Sequence, residues 1–168
     1  MLEKVISGGQ TGVDQVAIMV ASEYGLKTGG IMPEGWRTEG GPNPEFGQKY
    51  GLREGTSPEY PIRTEANVRN SDGTLRIALK LNSKGMRSTM NAIVKHRRPY
   101  FDVDLKIYEK DAEFMEKVKD WMNTNNIKTL NMAGDEETKD NNIATSARLF
   151  IDKLMKKLGF KCVETVEA

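Results

Sequence analysis

The chain has 168 residues, with 25 Lys and Arg against 24 Asp and Glu, a net charge of +1 at pH 7. That length suits a single domain with a real core, expected over residues 1–168, and a near-neutral chain lacks the broad positive field that steers proteins onto nucleic acid or anionic lipid. No apolar run approaches a membrane span, and the single Cys162 and His96 can form neither an internal disulfide nor a Cys/His metal site.

A first strand is expected at Val5-Ile6-Ser7, ending in Gly8-Gly9. It starts too early to leave room for a signal peptide, so the expected location is the cytoplasm. A helix follows, with Val13, Val16, Ala17, Val20, Ala21 and Tyr24 on one face and Gly25 at its end. Thr11 is its expected N-cap, with Asp14 as capping-box partner. A second strand is expected near Thr28 to Ile31. Met32 to Ile62 holds five of the six prolines and no sustained periodicity, and reads as a long functional loop. Its aromatics, Trp36, Phe46, Tyr50 and Tyr60, argue against disorder.

A helix is expected from Thr64 to Asn70, then a strand over Leu75 to Leu81 whose alternation gives it a wetter face and suits an edge. Ser88 to His96 reads as a helix and Pro99 to Asp104 as the fourth strand. His96 falls in the basic run Lys95-His96-Arg97-Arg98, read as a solvated turn. Phe114, Val118, Trp121 and Met122 line the next helix, and Thr129 to Ala133 is the fifth strand. The last helix carries Ala144 to Leu158 and stops at Gly159. Strands alternating with helices predict a three-layer αβα sandwich with a mainly parallel sheet of about five strands. Ligands bind such sheets at the carboxyl ends of the strands, where the chain order reverses.

The candidate site residues fall just after the strands. In Ser7-Gly8-Gly9-Gln10-Thr11-Gly12 the glycines permit a tight turn against a helix N-terminus, a setting that suits an anion. The spacing is neither the dinucleotide fingerprint nor the P-loop. Asp14 reads as a cap, or as a contact to a hydroxyl or metal. Asn82-Ser83-Lys84-Gly85 is a second glycine-bearing turn, and Lys84-Gly85-Met86-Arg87-Ser88-Thr89, which follows a strand and opens a helix, reads either as an anion site or as a helix cap with exposed basic residues. Arg37, flanked by glycines, can grip a phosphate or pair with Glu34 or Glu39. Asp102 and Asp104 either share a magnesium ion or cap a loop and pair with Lys106. Asn131, Gly134 and the acidic turn Asp135-Glu136-Glu137 would rim the same cleft, where a negative rim repels phosphate and can instead contact a sugar or a metal.

Five blocks carry a family resemblance: Ile6 to Asp14; Pro33 with Gly35, Arg37, Glu39, Gly41 and Pro42; Arg63 to Asp72; Asp102 to Leu105; and Leu130 to Gly134. Together they resemble the putative molybdenum carrier family, the circularly permuted YpsA-like branch of the SLOG superfamily, from about Val5 to Leu158. The resemblance implies a Rossmann-like fold and a phosphorylated ligand, either nucleotide-like or molybdenum cofactor, a pterin that bears a phosphate. It adds Glu65 and Asn67, in the third block, to the expected ligand-binding residues. The second phosphate turn of the family usually reads Gly-Gly-Thr, but here Lys84, Gly85 and Met86 stand there, with Thr89 further on. Related phosphoribohydrolases place a catalytic glutamate three residues after a threonine of that turn; counted from Thr89 that position is Ala92, which cannot accept a proton. The expected function is therefore a binding protein for a phosphorylated small molecule. The alternatives are an N-glycosidic hydrolase using Asp14, Glu65 or Asp102, and a nucleotide-sensing module. A homo-oligomer, dimer or tetramer, is expected, with the long loop acting as a lid or as an interface.

Overall fold

The computed structural model describes residues 1–163. The described residues form seven strands and six α-helices. The strands are β1 (Lys4–Ile6), β2 (Lys27–Gly29), β3 (Ile31–Met32), β4 (Arg53–Glu54), β5 (Gly73–Ala78), β6 (Tyr100–Asp104) and β7 (Thr129–Gly134). The helices are α1 (Val13–Glu23), α2 (Pro44–Tyr50), α3 (Tyr60–Arg69), α4 (Lys84–His96), α5 (Phe114–Thr124) and α6 (Ile143–Lys157). The main sheet runs β2–β1–β7–β5–β6 and every neighbouring pair is parallel. Its register aligns Ile6 with Gly29 and Asn131, and Ala78 with Asp104. The turns after β1, β5 and β7 therefore open at one edge. The fold is a Rossmann-like α/β sandwich, as the alternation predicts.

From β1 the chain crosses to β2 in one direction, and from β5 to β6 in the other. Right-handed crossovers then place α1 and α4 on opposite faces of the sheet. Helices α1, α5 and α6 share the main core, with Val13, Ile18, Val118, Phe150 and Leu154 buried against Leu75, Leu130 and Met132. Val68 of α3 meets Ala92 and Ile93 of α4 in a smaller cluster.

Several elements differ from their sequence reading, each for a local reason. The second strand breaks at Gly30 (φ +126) into β2 and β3, and β3 leaves the main sheet to pair with β4. The Met32–Ile62 stretch holds regular structure that hydrophobic periodicity does not reveal: a 3-10 turn at Glu34–Trp36, then α2 and β4. Helix α2 is set by local signals, since Asn43 accepts from Phe46 N (3.2 Å), Pro44 opens the helix, and Gly51 closes it in the left-handed region. Helix α3 begins four residues earlier than Thr64, with Pro61 in its first turn. Strand β5 stops at Ala78, is buried along its whole length and lies between β7 and β6 rather than at an edge. Its alternation misleads because Arg76 is buried by pairing with Asp102 of β6. Helix α4 begins at Lys84, capped by Ser83, which accepts from Met86 N (3.3 Å), so Gly85 lies in its first turn. His96 is the last residue of that helix, half-buried against Glu65, not part of a solvated turn.

Candidate functional site

The order of strands reverses at the carboxyl ends of β1, β7 and β5, and three turns meet there. In the first, Gly12 precedes α1 with φ +93, and the expected Thr11/Asp14 capping box does not form. Several amides of the turn and the first of α1 are bonded within the chain. Gly9 N donates to Ser7 Oγ (3.3 Å), Gln10 N to Asp14 Oδ2 (3.3 Å), Thr11 N to Gln10 Oε1 (2.9 Å) and Val13 N to the carbonyl of Asp135 (3.2 Å). Ser7 is buried and its hydroxyl donates to the carbonyl of Asp14 (2.9 Å). The chain after β7 presses on this turn: a Cβ on Gly12 would lie 2.5 Å from the Asp135 carbonyl oxygen and 2.7 Å from Glu137 N. Only glycine meets both that approach and the positive φ.

Asp14 sits beneath the turn as a buried ion pair with Arg63 of α3 (3.2 Å). Arg63 Nη1 also donates to the Gly8 carbonyl (2.8 Å), whereas its Nε has no partner among the described residues. Burial outweighs the lowering pull of Arg63 and the surrounding amides and holds the Asp14 carboxyl above its ordinary value. Asp14 thus braces the first turn against α3 through Gln10 N and Arg63. Arg63 heads the third block of the resemblance, but its distance of 49 positions from Asp14 along the chain hides the pair in the sequence.

The segment after β3 covers the turn. Gln10 Oε1 accepts from Glu39 N (2.9 Å), and a Cβ on Gly40 would touch Thr11 (3.2 Å from Cγ2). Trp36 anchors this segment on α2, where Gly47 lets its ring approach the backbone. Arg37 is exposed, donates to the Pro58 carbonyl (3.1 Å) and lies 4.6 Å from the centre of the Tyr60 ring, so it pairs with neither Glu34 nor Glu39. Arg63 lies 5.3 Å from the centre of the same ring. Burial raises the Tyr60 hydroxyl, which also interacts with Gln10 and Glu39. Tyr60 is a second residue that the pattern alone did not mark, since its aromatic character was read only as a sign of packing.

Asn131 and Gly134 of β7 lie in the same region. Asn131 Nδ2 donates to Thr74 Oγ1 (3.2 Å), and Gly134 lets Val13 of α1 pack directly on the strand. Asp135 reaches the turn after β5. The other expected residues are dispersed. Asn67 clamps β3 to α3 through both backbone groups of Ile31 (2.8 and 3.0 Å). Glu65 faces α4 and pairs with Lys95 (2.7 Å) and His96 (3.0 Å). Thr89 is buried and donates to the Gly85 carbonyl within α4 (3.1 Å); Gly85 itself is exposed. Asp102 is held by Arg76, and Asp104 accepts from Lys106 N (2.9 Å). Cys162 is exposed beyond α6. Among the described residues no group of three or more His, Cys, Asp or Glu is placed to share a metal ion, and no helix is long and apolar enough to cross a membrane.

A parallel sheet wound in two directions, with a glycine-rich turn where the order reverses, defines a Rossmann-like domain. Residues 5–155 match the circularly permuted YpsA SLOG family, and the chain belongs to that family. The crystal structure of the putative molybdenum carrier protein of Syntrophus aciditrophicus SB is similar throughout: 31% sequence identity, 92% of this chain and 95% of that chain covered, and a TM-score of 0.82. Among proteins with curated descriptions, none matches.

Proposed function

We propose that the chain is a binding protein for a phosphorylated small molecule, nucleotide-like or molybdenum cofactor, held where the turns meet. The observation that carries this reading is the docking of the 36–41 segment on the glycine-rich turn through Gln10, with Arg37 exposed at its margin. A planar guanidinium with one described hydrogen bond keeps donors for a phosphate. The position is where ligands bind in wound sheets, and the similarity to a protein named as a putative molybdenum carrier supports a ligand that bears molybdenum. Binding is favoured over turnover because the carboxylates weighed for hydrolysis are engaged: Asp14 by Arg63, Glu65 by Lys95 and His96, and Asp102 by Arg76. Molybdenum would arrive inside an organic cofactor or as an oxyanion held by N–H groups.

The test is mass spectrometry of small molecules released from the denatured purified protein, followed by calorimetric titration of the released compound and of adenosine and guanosine phosphates. Arg37→Ala is expected to weaken binding at least about tenfold, the loss of one hydrogen bond to a charged group. The sedimentation coefficient should stay unchanged. A shift in sedimentation with affinity intact would instead assign Arg37 to an interface between copies. Absence of any released or titrated phosphorylated ligand would refute the reading.

A further inference from the structure

One residue, Asp135, closes two turns at once. Its backbone carbonyl accepts from Val13 N, the first amide of α1. Its carboxylate reaches the turn between β5 and α4, where Oδ2 accepts from Leu79 N (3.0 Å) and Lys80 N (3.3 Å) and Oδ1 accepts from Ser83 Oγ (3.1 Å). Two successive backbone amides and a hydroxyl converging on one anionic group form the kind of nest that holds an oxyanion. Lys80, Lys84 and Arg87 are exposed along the same stretch of chain.

We infer, building on the binding function proposed above, that Asp135 is an internal competitor for the phosphate of the ligand. The carboxylate occupies the β5–α4 turn; an incoming oxyanion takes its donors and releases the β7–α6 turn from α1. Asp14 cannot play this part, because it is fixed within α1, buried and paired with Arg63. Asp135 lies on a turn outside any helix or strand and is only half-buried. A phosphate dianion carries more charge to the same donors than a single carboxylate can. Departure of Asp135 also relieves crowding, since burial and the neighbouring Glu39 and Asp135 charges together push the Glu136 carboxyl up. It withdraws the carbonyl from Val13 N and the backbone from Gly12, which frees donors of the first turn at the same moment. Occupancy of one turn is thereby coupled to access at the other.

Asp135→Asn keeps the shape and removes the charge. Inorganic phosphate and pyrophosphate, titrated into the full chain and followed by calorimetry and amide NMR, are the probes. Asp135→Asn should bind phosphate about tenfold more tightly than wild type, the gain when a state that masks the site nine-tenths of the time is lost. Phosphate added to wild type should move the amide resonances of Val13, Leu79 and Lys80 together, although two of them belong to a different turn from the third. If Asp135→Asn lowers the melting temperature, Asp135→Ser is the second variant and should show the same gain. Equal or weaker phosphate binding in a folded variant overturns the inference, as does wild type and variant both failing to bind phosphate or pyrophosphate. If nucleotides bind wild type and variant alike, the competitor role falls while the binding function stands; if neither protein binds any phosphorylated compound, both fall.

Discussion

Two arginine–aspartate pairs brace this fold, one between neighbouring strands and one between helices, and they are built differently. Arg76 of β5 meets Asp102 of β6 with two parallel bonds (Nε to Oδ1, 2.7 Å; Nη2 to Oδ2, 2.6 Å), while its Nη1 donates to the carbonyls of Met86 (3.0 Å) and Leu81 (3.4 Å). Every guanidinium nitrogen there is bonded, and Asp102 keeps about a third of its side chain exposed. Arg63 meets Asp14 through one nitrogen, and both side chains are more than nine-tenths buried. Its Nε lacks a partner among the described residues. The first pair has the full geometry that repays desolvation and locks two strands and a helix. The second is deeper, less completely bonded, and lies under the candidate ligand turn. A site that must rearrange its donors is where incomplete polar satisfaction is expected, and a structural brace is where it is not.

The sharpest way to break this comparison is to remove one partner from each pair. Arg63→Ala leaves a buried carboxylate without its cation, and the expected loss is the largest, about 3–5 kcal/mol by urea unfolding. Asp102→Ala leaves Arg76 with its two carbonyl acceptors and a route to water, so the loss should be smaller, about 1–3 kcal/mol. Equal losses, or the reverse order, would show that completeness of bonding does not separate the two pairs.

The smallest effect tests the crowding near the turn. The Glu136 carboxyl is pushed up by burial first and then by Glu39 and Asp135. A carboxyl raised in the folded state costs stability above its folded pKa, and that cost disappears as pH falls below the unfolded value near 4.5. Glu136→Gln should therefore be more stable than wild type at pH 7, by less than about 1 kcal/mol for so exposed a group. The two melting curves should converge below pH 4.5. A gap that persists or widens in acid would show that the carboxylate is not crowded.

The main elements were legible in the sequence because their signals are local. The apolar face of α1, the runs of β1 and β7 and the stripe of α6 depend on spacing within one segment, and all five strands of the main sheet were anticipated. The glycine-rich turn was legible for the same reason. The 32–62 stretch was harder. Helix α2 spans seven residues and β4 two, too short for a period to show, and both are held by caps and by pairing with β3. Arg76 defeated the reading of β5, since a charge that alternates with leucines looks solvated until its partner is known.

The sequence by itself determined the winding of a parallel α/β sheet and placed a tight, glycine-lined turn at the start of the first helix. What it left undecided is which side chain fills each turn. Asp14 finds Arg63 49 positions away, and Asp135 finds the Leu79 amide 56 positions away. Such pairings are set by the strand order, which brings β7 between β1 and β5 and so carries the acidic turn against both neighbours. Hydrophobic periodicity is a property of one segment, but a polar bond between turns exists only once the sheet has chosen its order.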